Sequence, residues 1–394
     1  MRFQSFTDAR LSGDGQTEFF RRRFKTNTKN TVFVSTVFQI RLTYFVAAGI
    51  MVEMELKYRV LNALSQTDGY VSGGEMAARF NVSRTLVWKA VNQLRRDGHA
   101  ISTVNKLGYR LEIQTDIINP HVIEDYLEKS FATQKQKPTF RIESLDEIDS
   151  TNEYLKRLAN AGTGEIAVAV ADRQTQGKGR NGKSFFSPSG CGLYISMLLR
   201  PRFDAREALF LTAAASVAGA RAADEARRFF DDGAPLPETE TKIKWVNDLY
   251  LDGKKICGIL TEGCVDVESK GLSYAVVGAG FNVYPPTEGF PDAIKGIAGT
   301  IFPRKPDKPI RSLLAARFVS SMTEYYLSLP DRSFMESYKS KSCVTGRKIA
   351  FSRDGRSFAA TAIAIDDECR LAVKTEDGKE TLLDCGEISI TEIK

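Results

Sequence analysis

Three stretches of helical spacing follow one another between residues 54 and 96. Leu56, Val60, Leu61 and Leu64 mark one apolar face over Met54–Ser65, which Gly69 ends. Gly74–Phe80 repeats the pattern with Met76, Ala77 and Phe80 inward, and Asn81-Val82 turns the chain. Ser83 is a good N-cap for a third helix running to about Arg96, with Leu86, Val87, Ala90, Val91 and Leu94 as its stripe and Gly98 as its stop. Beyond that the period falls to two. Ile101–Val104 and Tyr109–Glu112 alternate around Asn105–Gly108 as a hairpin. Three helices and a two-stranded wing over 54–112 make a winged helix-turn-helix.

Past Pro120 the spacing predicts a linker helix, Val122–Phe131, followed by polar Thr133–Pro138. A helix starting at Ser150 and ended by Gly162 precedes an apolar strand, Ile166–Ala171. Further strands are expected at Leu193–Leu199, at Thr241–Trp245, in a hairpin of Leu249–Leu251 and Ile256–Thr261 about Asp252-Gly253, and at Tyr274–Gly278. Thr345–Ile393 is a run of short β segments with turns at Asp354-Gly355 and Asp377-Gly378, which reads as a small β-barrel. The fold class is α+β in three parts: the winged helix-turn-helix at 54–112, a mixed α/β region at 120–340 and a β domain at 345–394.

A length of 394 residues fits two or three domains, and 42% hydrophobic residues are enough to bury cores of ordinary size. The net charge of +6 permits a polyanionic partner without requiring one. Six cysteines without a CxxC pair argue against a zinc site or a stapled secreted domain and for reduced thiols in a cytoplasm. With His99 and His121 the only histidines, both outside the segments argued below to hold the site, Ser-His-Asp or Cys-His catalysis is disfavoured. Residues 1–50 stand apart: a basic run, Phe19–Lys29, precedes an apolar one, Thr31–Ile50. A signal anchor is one reading, but Gln39 and Arg41 sit mid-span, and a central arginine costs about 3 kcal/mol on insertion scales. The preferred reading is translated upstream sequence before a start at Met51 or Met54, with no role in the chemistry and no membrane partner.

Two segments of the central region carry chemistry. Immediately after the strand Ile166–Ala171 come Gly177, Gly179 and Gly182 interleaved with Lys178, Arg180 and Lys183, a pliant cluster of cations suited to an anion. Gly177–Ser184 also satisfies GxxxxGK[ST], but a phosphate-binding P-loop opens into a helix, and Pro188 and Gly190 break one here. A basic surface loop is the plain alternative. The second segment places Lys244 at the end of a buried strand, followed by Asn247 and Asp248. A buried ammonium needs an anion: a phosphate or carboxylate ligand, or a salt bridge to Asp248 or Glu262. The small residues of Gly278–Asn282 (GAGFN) would let a flat ring lie on the backbone. In the N-terminal domain Ser83, Arg84, Thr85, Trp88 and Lys89 at the start of the third helix, with Lys106 and Arg110 in the wing, fit a DNA groove and its phosphates; a protein partner, or none, is the alternative.

In this order the motifs S-T-N (Ser150–Asn152), the glycine–basic loop (Gly177–Gly182), F-S-P (Phe186–Pro188), K-W-x-N-D (Lys244–Asp248) and GAGFN resemble the bifunctional biotin–protein ligase and biotin operon repressor family of bacteria, over Met54 to the end. Ser83–Val91 also looks like that family's recognition helix. The resemblance implies a central domain of the class II synthetase-like, biotin-ligase type and a C-terminal SH3-like barrel. It implies that biotin and MgATP give biotinyl-5′-adenylate, which acylates a lysine of a biotin carboxyl carrier protein domain, with operator DNA as a second partner and a homodimer as the assembly. No Mg2+ site is fixed by the protein alone.

The same resemblance gives Ser150, Thr151 and Gln174 to the ureido ring of biotin, Asn152, Lys178, Gly179 and Arg180 to biotin binding more broadly, and Gly177, Lys178, Arg180 and Lys183 to the adenylate. Lys244 would hold carboxylate and α-phosphate together, with Asn247, Phe185 and Asn282 near the nucleotide; Lys244 and Arg180 are the catalytic pair. Val246 stands where the family usually has proline, Lys178 where it has arginine, and residues 1–50 have no counterpart. The alternatives are a biotin-sensing transcription factor without ligase activity, a lipoate-type ligase, and a P-loop ATPase fused to a DNA-binding domain.

Overall fold

The computed structural model describes residues 56–67, 69–96, 99–112, 116–135, 137–164, 166–201, 208–228, 239–265, 271–306, 310–353, 356–384, 386 and 388–390. The N-terminal extension, the expected start at Met51 or Met54, the Gly98 stop, the Asp354-Gly355 turn and Cys385 lie outside them.

The N-terminal domain is built from α1 (residues 56–65), α2 (Gly73–Phe80), α3 (Arg84–Arg96), β1 (Ile101–Val104) and β2 (Gly108–Leu111). Val60, Leu64, Met76, Val87, Val91 and Leu94 form its core, the stripe that the spacing marked. Ser72 caps α2 by accepting from the Glu75 N–H at 3.0 Å, and Asn81 leaves the helix in the left-handed region at φ 54°. The Ser83 hydroxyl accepts from the Leu86 N–H at 3.2 Å and starts α3. The wing pairs Ile101 with Leu111 and is tied back to the helices where Val71 bridges Tyr109.

The central region contains α4 (Pro120–Ser130), β3 (Phe140–Ile148), α5 (Thr151–Asn160), β4 (Ile166–Gln174), β5 (Gly192–Leu199), α6 (Ala208–Arg228), β6 (Lys242–Lys244), β7 (Asp248–Leu251), β8 (Lys254–Val265), β9 (Leu272–Asn282), α7 (Ile310–Leu327) and α8 (Met335–Ser340). The strands form one sheet in the order β3-β4-β5-β9-β8-β7-β6, parallel between β3 and β4 and antiparallel elsewhere. One face packs on α6 and α7 through Val168, Val170, Ile195, Met197, Val277, Ala279 and Phe281. The other packs in part on α5 through Leu155, Ala159, Ala167, Ala169, Leu198 and Val276. Alternate residues of each strand therefore serve opposite faces, as the pleat requires.

Helices α6 and α7 and strand β3 were not foreseen. Both helices are buried on nearly every side, so they carry no amphipathic period to read. The strand expected at Tyr274–Gly278 runs further: β9 continues through the GAGFN segment to Asn282. The glycine–basic loop does not open into a helix. A short 3-10 turn at Arg180–Gly182 leads by way of Pro188 to β5.

At the C-terminus β10 (Lys348–Arg353), β11 (Arg356–Ile365), β12 (Leu371–Thr375), β13 (Glu380–Leu383) and β14 (Ile388–Ile390) form an antiparallel sheet in the order β13-β12-β11-β10-β14. The expected β run is present, but the sheet is open. Its two outer strands are not paired with each other among the described residues. Its apolar face has another partner: Ile349, Phe351, Leu371 and Val373 join the core of the central region, and the Trp245 indole N–H donates to the Cys369 carbonyl at 2.9 Å.

A cap satisfies an orphan helix donor, so Ser83→Ala should destabilise the N-terminal domain by about 1 kcal/mol. Urea denaturation followed by circular dichroism checks this; an unchanged midpoint would remove the capping role.

Candidate active site

The face of the sheet toward α5 is bare where β8 and β9 meet. Gly258 and Gly280 are directly paired, and Gly278 lies opposite Leu260. A Cβ on Gly280 would fall 2.5 Å from the Phe185 ring, and one on Gly278 would fall 2.2 Å from the Asn152 side-chain oxygen. The flat ring that lies on this backbone is thus the protein's own Phe185, carried by the loop after β4. Phe185 also meets Tyr194 edge-on, with centroids 6.4 Å apart.

A cleft beside this floor is lined by Ser150, Thr151, Asn152, Gln174, Lys178, Phe185 and Tyr194. Its polar groups form one chain. The Gln174 side-chain oxygen accepts from the Thr151 N–H at 2.9 Å and its hydroxyl at 3.1 Å, while Gln174 Nε2 donates to Ser187 Oγ at 3.0 Å. Ser196, fully buried on β5, places its one hydroxyl proton between Thr151 Oγ1 at 2.7 Å and Asn152 Oδ1 at 2.6 Å. Asn152 Nδ2 donates to Glu262 at 2.8 Å. Ser150 stands at the N-cap of α5 in extended conformation, but its hydroxyl makes no capping bond and lines the cleft instead.

A larger cavity of about 520 Å3 opens beyond Phe185. Among the described residues, Lys178, Arg180, Lys183, Lys244 and Lys255 line it, against one carboxylate, Asp248. The predicted pair, Arg180 and Lys244, therefore shares one cavity, together with Gly179, Asn247 and Asn282. Asn247 joins the two motifs: its Oδ1 accepts from Arg180 at 3.1 Å and its Nδ2 donates to the Ile259 carbonyl at 2.6 Å. Both carboxylates proposed as salt-bridge partners of Lys244 are engaged by other lysines. Asp248 pairs with Lys255 at 2.6 Å and Glu262 with Lys156 at 2.5 Å. Gly177 faces neither cavity as a lining residue; its carbonyl accepts from the Phe185 N–H at 2.8 Å and closes the loop on itself.

Lys178 bonds Glu153 of α5 at 2.7 Å, and Glu153 also holds Lys156 at 2.9 Å. Hydrogen bonds from Lys178 and then Lys156 hold the Glu153 carboxyl below its ordinary value against the cost of burial. Sequence reasoning missed Glu153 and Ser196, had Ser187 only within the F-S-P motif, and weighed Glu262 only as a partner of Lys244. Only Ser196 left a signal, as a lone polar residue in the apolar run LYISMLL. His99 and His121 line neither cavity.

On the N-terminal domain Ser83, Arg84, Thr85, Trp88, Lys89 and Lys106 are exposed. Arg110 is less available: it pairs with Glu112 at 2.6 Å and stacks on Tyr70 at 5.0 Å. No helix of the described residues is long and apolar enough to cross a membrane.

Residues 145–282 match the Biotin/lipoate A/B protein ligase family, and residues 57–110 match an HTH domain. The chain is 28% identical over 312 residues to the bifunctional ligase/repressor BirA of Bacillus subtilis (strain 168), covering 78% of this chain and 90% of that one. It is 30% identical over 224 residues to the Escherichia coli (strain K12) protein of the same name, covering 57% and 62%. A biotin protein ligase from Aquifex aeolicus, solved in complex with biotin and ATP, aligns with a TM-score of 0.49 at 26% identity over 64% of this chain and 99% of its own. The two motif-bearing segments and the helix-turn-helix thus fall within two matched families, and the chain joins a segment similar to an HTH domain to one similar to the Biotin/lipoate A/B protein ligase family.

Proposed function

We propose that this chain is an ATP-dependent biotin–protein ligase and a biotin-responsive repressor. It forms biotinyl-5′-AMP and transfers biotin to a lysine of a biotin carboxyl carrier protein. The observation that carries the reading is the single cavity in which Arg180 and Lys244 converge beside a polar cleft and a glycine floor. A biotin-sensing factor without catalysis is disfavoured because both cations are in place.

Biotin's ureido group offers N–H donors and a carbonyl acceptor, and the cleft presents both kinds of partner in Ser150, Thr151, Asn152 and Gln174. Biotin's carboxylate would then point toward the cationic cavity. A carboxylate oxygen attacks the α-phosphorus of ATP and pyrophosphate leaves. Lys244 bridges carboxylate and α-phosphate, and Arg180 with the backbone at Lys178 and Gly179 neutralises charge that grows in the transition state. Lys183 and Asn247 support the phosphates, Phe185 and Asn282 border the nucleotide, and Mg2+ arrives with ATP. In the second step the carrier amine attacks the acyl carbon and AMP departs. No enzyme nucleophile is required, in keeping with the absence of histidine from both cavities.

Exposed Arg84, Thr85, Trp88 and Lys89 on α3, with Lys106 at the wing, present the surface for operator DNA. A homodimer would read a two-fold operator. The C-terminal sheet, in the place of an SH3-like domain, closes the cationic cavity with Gly386, Ile388 and Ser389. Cytoplasmic location fits free cysteines and a carboxylase partner.

Labelled biotin, MgATP and a carrier domain mixed with the protein should give labelled carrier, and Lys244→Ala should slow adenylate formation by about 100-fold or more. An unlabelled carrier with the wild-type protein refutes the ligase; equal label from Lys244→Ala refutes only that residue's role. In gel shifts with DNA upstream of biotin genes, biotin plus ATP should strengthen binding. Arg84→Ala or Lys89→Ala should weaken it and, for a phosphate contact, flatten the salt dependence by about one unit of slope. Binding indifferent to biotin and ATP would end the repressor reading.

A further inference from the structure

A second charged cluster lies behind the ligand loop and is not used by the chemistry above. Arg311, at the start of α7, is 2% exposed, and Asp116, in the segment between the wing and α4, is 0% exposed. The Arg311 backbone N–H donates to Asp116 Oδ1 at 2.9 Å, its guanidinium donates to the Asp116 carbonyl, and the Tyr284 hydroxyl donates to Asp116 Oδ2 at 2.6 Å. Arg311 Nη1 reaches across to Asp172 Oδ1 at 2.5 Å and to the Gly192 carbonyl at 3.0 Å. Asp172, on β4, accepts in turn from the Ser189 hydroxyl and from the Gly190 N–H at 3.1 Å. Burial opposes the charge on Asp172, but Arg311 and Ser189 outweigh it and hold the carboxyl below its ordinary value.

Two carboxylates around one buried guanidinium do not make a strong case for stability alone, since such groups can often be replaced by apolar ones at no loss. Their placement suggests another role. β4 holds the loop after it at two points. Gln174 grips Ser187, whose hydroxyl donates to the Phe185 carbonyl at 2.9 Å, and Asp172 grips Ser189 and Gly190. Gln174 also fixes Thr151 in the cleft. If the Asp172 grip loosens, Phe185 and Ser187 shift, and Gln174 is no longer held against Thr151. Lys255, on β8, keeps its bond to Asp248.

We infer that Arg311 and Asp172 are positioning residues for the loop bearing Phe185 and Ser187, and that Asp116 makes the segment between the two domains part of the same device. The acyl end of the site is thereby completed by chain that lies outside the residues matched to the catalytic family. The inference rests on the ligase reading.

Its test is biotin-dependent exchange of labelled pyrophosphate into ATP by the full chain, with biotin and ATP varied separately and thermal unfolding recorded for each variant. Asp172→Asn and Asp116→Asn keep side-chain volume and remove charge. Each should raise the KM for biotin about tenfold, with a smaller rise for ATP through the shift of Phe185, which borders both cavities. Arg311→Lys, which keeps the charge but cannot span both carboxylates, should behave alike. A merely structural cluster would lower the unfolding temperature and the active fraction while leaving the biotin KM at its wild-type value, and that result overturns the inference. Should the two buried variants fail to fold, Asp172→Asn, whose side chain is 26% exposed, decides alone. Absence of exchange by the wild-type protein would sink the ligase reading itself, a different outcome from exchange with unaltered KM.

Discussion

Strand β9 alternates between two duties. Ala275, Val277, Ala279 and Phe281 go to the helices beneath, while Val276, Gly278 and Gly280 face the ligand side. Because the pleat has period two, a slip of one residue would put Phe281 on the site and a glycine in the core. The bare strip fixes where Asn152 and Phe185 can lie. Those two residues in turn fix the start of α5 and the loop after β4. Much of the site's geometry is thus set by which face of one central strand lacks side chains.

Charge is then distributed along that strip rather than spread evenly. The cleft at one end is mostly uncharged and its groups partner each other: Gln174, Thr151, Ser196 and Asn152 form a continuous chain of hydrogen bonds that ends on Glu262. The cavity at the other end gathers, among the described residues, five cations around Asp248. A molecule with a polar neutral ring at one end and an anion at the other would be oriented by this gradient before any single contact is considered. Moving two anions together in such a place is favourable because the fixed cations need not reorganise when charge develops.

The periodic parts of the fold were legible in the sequence: the helix-turn-helix stripe, the wing, the hairpin about Asp252-Gly253 and most strands. The elements missed share a physical cause. Helices α6 and α7 are apolar on nearly all sides, and β3 is a mostly half-buried edge strand, so neither kind shows a clean period. The barrel was over-read because alternation reports strands without reporting closure, and here the inner face is spent on Trp245 and the central core. At the site, residues named for charge or for glycine spacing could be found from sequence. The supporting roles of residues such as Glu153 and Ser187 could not, because only folding brings α5, β4, β8 and the loop together.

The loop itself combines firm ends with a weak middle. Its exit is held by Asp172 and the buried Arg311, and its base by Gln174 and Ser187. Between them Lys178 reaches Glu153 with a side chain 45% exposed. An exposed pair of this kind is worth about 0–1 kcal/mol, against several for a buried one broken on one side. The middle of the loop is therefore held less firmly than its ends, with the Arg180 hydrogen bond to Asn247 as its other tie across the cavity. A reactive mixed anhydride needs a cover that closes tightly yet opens for a carrier lysine, and unequal anchoring along one loop meets both demands.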